Sequence, residues 1–427
     1  MELTHRGSRD TPTISQRTSQ MSSRRLADAI TRHLFDDRAT LKRCSLVCRY
    51  WATSTANHLF SEFRWPPCWR PTECIRDESV PKPYVTGYID LLELLQSSDR
   101  IRSAIHTLVL SGHRCGQGDH PRLTLCHYLS STTLWHILDL LPHLCRLYLH
   151  RSWLQIHYHF QSELRAFHLE EVHIIDGHFF PPAQIAYFFT LFTRISKLHL
   201  EIRAPSRIDG ATSSEMVKVD SFYTSSREWL HDDALSQTVD LKSLHHLTLR
   251  AFLTYDTIAF LESTTNLQSL LYKATQSIDV APISHLQLQS LSIAGFIHVG
   301  EDIELDVIAR DLQLMTSKQK QLRRASIILM LDVGDSWNVD KPKSLKYLEQ
   351  SLLELDWFLL WEALSGPGCY SLEHVRMEVS RHAWVRLPLE SCASVLRNVF
   401  TKSRPPPWIA EKLQVGTMVW DPLDLSY

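Results

Sequence analysis

One phrase recurs through the body of this chain: an apolar residue, two others, an apolar residue, one other, and a third apolar residue. It stands at Ile105/Leu108/Leu110, Leu144/Leu147/Leu149, Leu164/Phe167/Leu169, Ile195/Leu198/Leu200, Leu244/Leu247/Leu249, Leu267/Leu270/Tyr272, Leu288/Leu291/Ile293, Leu322/Ala325/Ile327 and Leu372/Val375/Met377. The last two apolar positions are two residues apart, which puts both side chains on one face of a strand and the residue between them on the other. Short strands with one apolar face need pairing neighbours and a covering layer. Thr133 to Leu141, Ala183 to Phe192, Tyr255 to Leu261 and Leu345 to Leu364 carry helix-compatible apolar clusters that could supply it. Strand then helix, repeated, predicts an α/β fold. Successive phrases begin 39, 20, 31, 49, 23, 21, 34 and 50 residues apart, so the repetition is irregular. Ala204 to Glu228, inside the longest interval but one, is rich in Ser and Thr and reads as a disordered surface loop.

The N-terminal part has a different grain. Residues 1–22 lack an apolar core and read as a disordered leader. Ser22 or Ser23 can cap a helix on which Leu26, Ile30, His33 and Leu34 recur at helical spacing. Asp36-Asp37 offers a second cap before a helix predicted over Ala39 to Trp51, with Leu41, Cys44, Cys48 and Trp51 on one face and Leu46, Val47 and Tyr50 on the next. A helix with so wide an apolar arc must bury both sides, and a segment of about forty residues is too small to do that alone, so a partner is expected. A third helix is predicted over Thr53 to Phe60. Prolines 66, 67, 71, 81 and 83 then mark a boundary. The organisation expected is a leader over 1–22, helices over 23–65, a Pro-rich linker over 66–86, the α/β body over 87–400 and a tail over 401–427. In that tail Pro405-Pro406-Pro407-Trp408 favours an extended stretch.

Composition removes several function classes. Lys and Arg number 45 against 47 for Asp and Glu, so no overall basic field draws the chain to nucleic acid or anionic lipid. Glycine is scarce at 13 residues, and no GxxxxGK[ST], GxGxxG or GxSxG occurs. No apolar run approaches the roughly 18 residues of a membrane span. Nine cysteines without a signal peptide point to reduced thiols and to cytosol or nucleus. His113, Cys115 and His120 lack the second pair of a structural zinc site. No metal, cofactor or catalytic residue is assigned, and the chain is not expected to be an enzyme.

The most specific text is Thr40-Leu41-Lys42-Arg43-Cys44-Ser45-Leu46-Val47-Cys48-Arg49-Tyr50-Trp51, preceded by Leu26 to Asp37 and followed by His58-Leu59-Phe60. It resembles the F-box in the form common in fungal F-box proteins, whose second helix carries C-S-L-V-C-R-x-W. The resemblance covers roughly residues 24 to 63. It implies a three-helix module docking on the Skp adaptor of a cullin-RING ubiquitin ligase, with the rest of the chain holding a protein substrate. Leu26, Ile30, Leu34, Leu41, Cys44, Leu46, Val47, Cys48 and Trp51 are the positions implied for module core or adaptor face. The family usually opens with Leu-Pro-x-Glu, and the aligned positions here are Ser22, Ser23, Arg24 and Arg25. That departure supports an alternative, a protein-interaction scaffold with a degenerate F-box that does not engage the ligase.

The body after residue 86 resembles the leucine-rich-repeat substrate domain of many F-box proteins, here as an irregular solenoid. The resemblance implies that the residue between the last two apolar positions of each phrase projects from a concave strand face. That row reads Val109, Tyr148, His168, His199, Thr248, Leu271, Ser292, Ser326 and Arg376. Tyr148, His168, His199, Arg250, Arg324 and Arg376 are the substrate-face candidates. With Arg146, the last three could donate charge-assisted hydrogen bonds to a phosphorylated motif.

Overall fold

The computed structural model describes residues 26–31, 33–34, 37–65, 87–111, 128–155, 166–180, 185–202, 216–225, 239–275, 278–298, 305–332, 341–381 and 388–418. The protein is mixed α/β, as the sequence predicts, and divides into two compact units at Leu169/Glu170. The leader, the 66–86 linker and the His113/Cys115/His120 stretch lie outside the described residues.

In the first unit, helix α1 covers 26–31, α2 Arg38–Cys44 and α3 Arg49–Leu59. Asp37 caps α2, accepting from the Thr40 backbone N–H at 2.9 Å and its hydroxyl at 2.6 Å. The single helix predicted over Ala39 to Trp51 is therefore two. Leu46 N–H and Val47 N–H reach back only three residues, to Arg43 O and Cys44 O, and the Ser45 hydroxyl donates to Lys42 O at 2.6 Å. These tight bonds close α2, and Cys48 is fully extended before α3 begins. Thr31 and Ser54, both buried, join α1 to α3 through their hydroxyls at 2.8 Å. Strand β1 (Glu62–Trp65) then pairs in parallel with β2 (Thr107–Ser111), and β2 with β4 (Arg146–His150). Helices α4 (Gly87–Ser97), α5 (Asp99–Ala104) and α6 (Ser131–Asp139) and the parallel pair β3 (Tyr128–Ser130) and β5 (Trp153–Gln155) complete it.

Strand β6 (Phe167–Ile175) crosses the division, and β7 (His178–Phe180) and helix α7 (Ile185–Phe189) follow. The second unit's sheet then runs in chain order through β8 (Phe192–Glu201), β9 (Val217–Thr224), β11 (His246–Phe252), β12 (Ser269–Lys273), β13 (Ser290–His298), β14 (Arg324–Asp332), β15 (His374–Arg381) and β16 (Leu413–Thr417), each pair parallel. Short β10 (Val239–Asp240) pairs with β9. Each of the nine sequence phrases places its last two apolar positions in a strand. The register aligns them: Leu198, Phe222, Leu247, Leu270, Leu291, Ala325 and Val375 form one buried row. The turns into β12, β13, β14 and β15 repeat one device, a carbonyl that takes two N–H groups. His245 O serves Gln268 and Ser269, Gln268 O serves Gln289 and Ser290, Gln289 O serves Arg323 and Arg324, and Arg323 O serves Glu373 and His374.

Strand β9 replaces the loop expected over Ala204 to Glu228 at Val217–Thr224; residues 204–215 and 226–228 lie outside the described residues. Val217, Val219, Phe222 and Thr224 are buried, and the step of three from Val219 to Phe222 breaks the period of two by which a strand is read from sequence. Helices α8 (Tyr255–Glu262), α9 (Leu305–Thr316), α10 (Lys341–Glu354), α11 (Trp357–Leu364) and α12 (Leu389–Ser403) connect the strands. Their apolar sides hold a cluster of Trp357, Trp361 and Phe400, with ring centroids 4.8 to 5.9 Å apart. Trp357 is buried and its indole N–H donates to Leu352 O at 2.7 Å. Helix α12 ends on Arg404 in the left-handed region, φ 51°. The following prolines do not form one extended run. Pro406 is extended, but Pro407 takes the first position of α13 (Pro407–Lys412), where its missing N–H costs nothing.

Candidate functional site

Alternation leaves one face of the second unit's sheet carrying the residues between the apolar positions. On it His199, Tyr223, Thr248, Leu271, Ser292, Ser326, Arg376 and Gln414 pair strand by strand into a single row. Two residues earlier along the strands run Ser221, His246, Ser269, Ser290, Arg324 and His374. Ala294, Ile328 and Glu378 stand two residues later than Ser292, Ser326 and Arg376, again in register.

Between β12 and the segment after β16 this face holds a depression of about 410 Å³. One end is cationic: Arg324 pairs with His374 across β14 and β15, and Arg376 is the next outward residue of β15. All three side chains are exposed, and neighbouring strands are about 4.8 Å apart, so the two guanidinium groups and the imidazole can converge on one ligand group. Ser290, Ser292 and Ser326 line the middle. Glu378 stands beyond them, half-buried, 3.4 Å from the Arg376 guanidinium and accepting from the Ser326 hydroxyl at 3.2 Å. Burial raises the Glu378 pKa above the ordinary carboxylate range, against the lowering by Arg376 and the Ser326 hydrogen bond. The far end is apolar, where Ala294, Ile328 and Met330 pack with Leu271, Phe296 and Met418.

A second cluster lies further along the same face. The His199 ring is 3.8 Å from that of Tyr223 by centroids and 4.9 Å from that of His173, and its Nε2 is 2.9 Å from Glu201 Oε1. The Arg250 guanidinium lies over Tyr223 at 4.9 Å. Lys273 lies over Phe296 at 4.9 Å, and burial, then the nearby Arg250 charge, lowers its pKa to about 8.

The structure thus brings Arg324 and Arg376 into one depression and joins His199 to Arg250 through Tyr223. Tyr148 and His168 belong to the first unit, Tyr148 stacked on His150 at 6.1 Å and His168 exposed. Sequence reasoning missed Lys273, His374 and Glu378, although each is two residues from a position assigned to this face and alternation alone would have found it. Tyr223 was hidden by the loop assignment, and Gln414 and Met418 by reading 401–427 as a tail.

Among the helical candidates, Leu41 is fully buried, while Ile30, Leu34, Cys44 and Trp51 are partly so. Leu26, Leu46 and Val47 are 61%, 84% and 68% exposed, and Cys48 is exposed. Among the described residues no cysteine forms a disulfide, no cluster of His, Cys, Asp and Glu could hold a metal, and no helix is long and apolar enough to cross a membrane. No protein-family model and no curated protein matches the chain.

Proposed function

We propose that this chain is the substrate-receptor subunit of a Skp-cullin-F-box type ubiquitin ligase, binding the adaptor through α1 to α3 and a protein substrate through the outward face of an irregular leucine-rich-repeat-like solenoid. The observation that carries this reading is the turn between α2 and α3. Leu46 and Val47, from the C-S-L-V-C-R text that resembles the F-box, are exposed with no covering element among the described residues, while Leu41 of the same text is buried. An isolated module has no use for two adjacent large apolar residues in water, but an obligate helical partner would cover them. The repeated phrase, the two N–H groups taken by one carbonyl at the turns into β12 to β15 and the chain-order parallel sheet support the solenoid part. In this reading the chain performs no chemistry. It raises the concentration of a bound substrate beside the ligase's transfer machinery, in cytosol or nucleus.

The test is a titration of the full chain with purified Skp-type adaptor, compared with Leu46→Asp/Val47→Asp. Because both side chains are exposed, the variant should unfold as the parent does, within about 0.5 kcal/mol, yet lose adaptor binding. Absence of saturable binding by the folded parent would refute the receptor role. It would favour the scaffold alternative, which the replaced Leu-Pro-x-Glu at Ser22 to Arg25 already motivates.

A further inference from the structure

We propose that the depression over β12 to β16 binds an acidic peptide in extended form, an anionic group seated on Arg324 and Arg376 and a bulky apolar side chain on the shelf of Leu271, Ile328 and Met418. The inference takes from the receptor reading only that the occupant is a polypeptide.

Charge complementarity is the first argument. The described side chains on this face from β11 to β15 include the cations of Arg250, Lys273, Arg324 and Arg376 against the carboxylate of Glu378. That imbalance is local, since the chain as a whole has a formal net charge of −2. Glu378 partly neutralises Arg376 at 3.4 Å. Among the described residues no carboxylate is within ion-pair reach of Arg324, which lines the same depression and is exposed. A carboxylate or phosphate would satisfy the Arg324 fork directly, with Arg376 and the exposed His374 beside it.

The arrangement along the strands is the second argument. Arg324 and Ile328 are four residues apart on β14, or about 13 Å at the strand rise, and the serines fill the interval. A ligand lying along the strands would meet cations, then hydroxyls able to bond backbone amides, then an apolar shelf. An extended peptide with an acidic residue about four positions from a large apolar one matches all three. A nucleic acid strand matches less well, because Arg324 and Arg376 stand together at one end and the far end is apolar, where successive phosphates would need charge.

The full chain is immobilised and panned against a random library of peptides about twelve residues long, and the retained sequences are resynthesised with phosphoserine in place of the acidic residue to separate carboxylate from phosphate recognition. Expected are enrichment of Asp or Glu at a spacing of three to five residues from a bulky apolar residue, affinity that falls as salt is raised, and at least about tenfold weaker binding by Arg324→Glu/Arg376→Glu. Lys320→Glu, at an exposed position away from the depression, should bind as the parent does. No acidic enrichment, binding undiminished in the double variant, or displacement of the peptide by oligothymidylate at lower concentration than by the acidic peptide itself would overturn the proposal. Adaptor binding measured on the same preparations separates the two readings. Acidic peptides held by a chain that ignores the adaptor leave this inference standing without the receptor role, and adaptor binding without acidic enrichment does the reverse.

Discussion

Asp311, in the middle of α9, is 1% exposed and holds the most consequential buried charge described in the second unit. Tyr272 O–H donates to its Oδ2 at 3.3 Å, and Arg310 donates to Oδ1 at 2.7 Å while also reaching Thr275 O and Ile278 O. Burial outweighs these partners and raises the Asp311 pKa from 3.8 to about 6. A shift of that size is worth about 3 kcal/mol. The folded carboxyl holds its proton when the unfolded one has already lost it, so between pH 3.8 and about 6 the folded state binds more protons and stability falls as pH rises. The stabilising contribution is complete below the unfolded pKa and gone above the folded one. Asp311→Asn keeps one acceptor oxygen, for Arg310 or for Tyr272, and removes the titration, so its cost is an offset that does not change with pH. Urea unfolding of both proteins, followed by tryptophan fluorescence from pH about 4 to about 8, isolates the effect because other titrating groups cancel in the difference. Relative to the variant, the parent should lose most of about 3 kcal/mol across that window. A difference that stays constant with pH would show that Asp311 is not held protonated by burial, and would refute the reasoning.

Two further substitutions probe the framework. A methyl group at Gly368 would overlap the Thr316 carbonyl at the end of α9, and since backbone cannot yield as a flexible side chain can, Gly368→Ala should cost at least about 3 kcal/mol in the same unfolding assay. Phe222→Ala tests β9: a ring 3% exposed between Leu198 and Leu247 should cost about 3 to 5 kcal/mol, whereas a residue in a surface loop would cost under about 0.5.

What could be read from the chain before its structure, and what could not, divides along the range of the interactions involved. Alternation is local: two apolar residues two apart must share a strand face, so the nine strands, the α/β class and the outward positions His199, Thr248, Leu271, Ser292, Ser326 and Arg376, though not Tyr223 between the first two, were legible in the residues themselves. Caps are local as well, and Asp37 before α2 was readable from its type and place. The break between α2 and α3 was not, because the pattern over Leu41 to Trp51 suits one helix as well as two and the decision falls to the bonds at Ser45 to Val47. Strand β9 was illegible for a different reason. Its buried positions Val217, Val219, Phe222 and Thr224 break the period of two between Val219 and Phe222, and only pairing on both sides with β8 and β11 makes it a strand. The same holds for the tail, where Leu413–Thr417 becomes a strand by adding to β15. The depression itself belongs wholly to tertiary structure. Arg324 and Arg376 are 52 residues apart in sequence, and parallel register places them on adjacent strands. Sequence by itself determined which side chains face outward, because that follows from a backbone period of two. Which of them become neighbours was decided by strand order and register, which depend on hydrogen bonds between segments that no local pattern records.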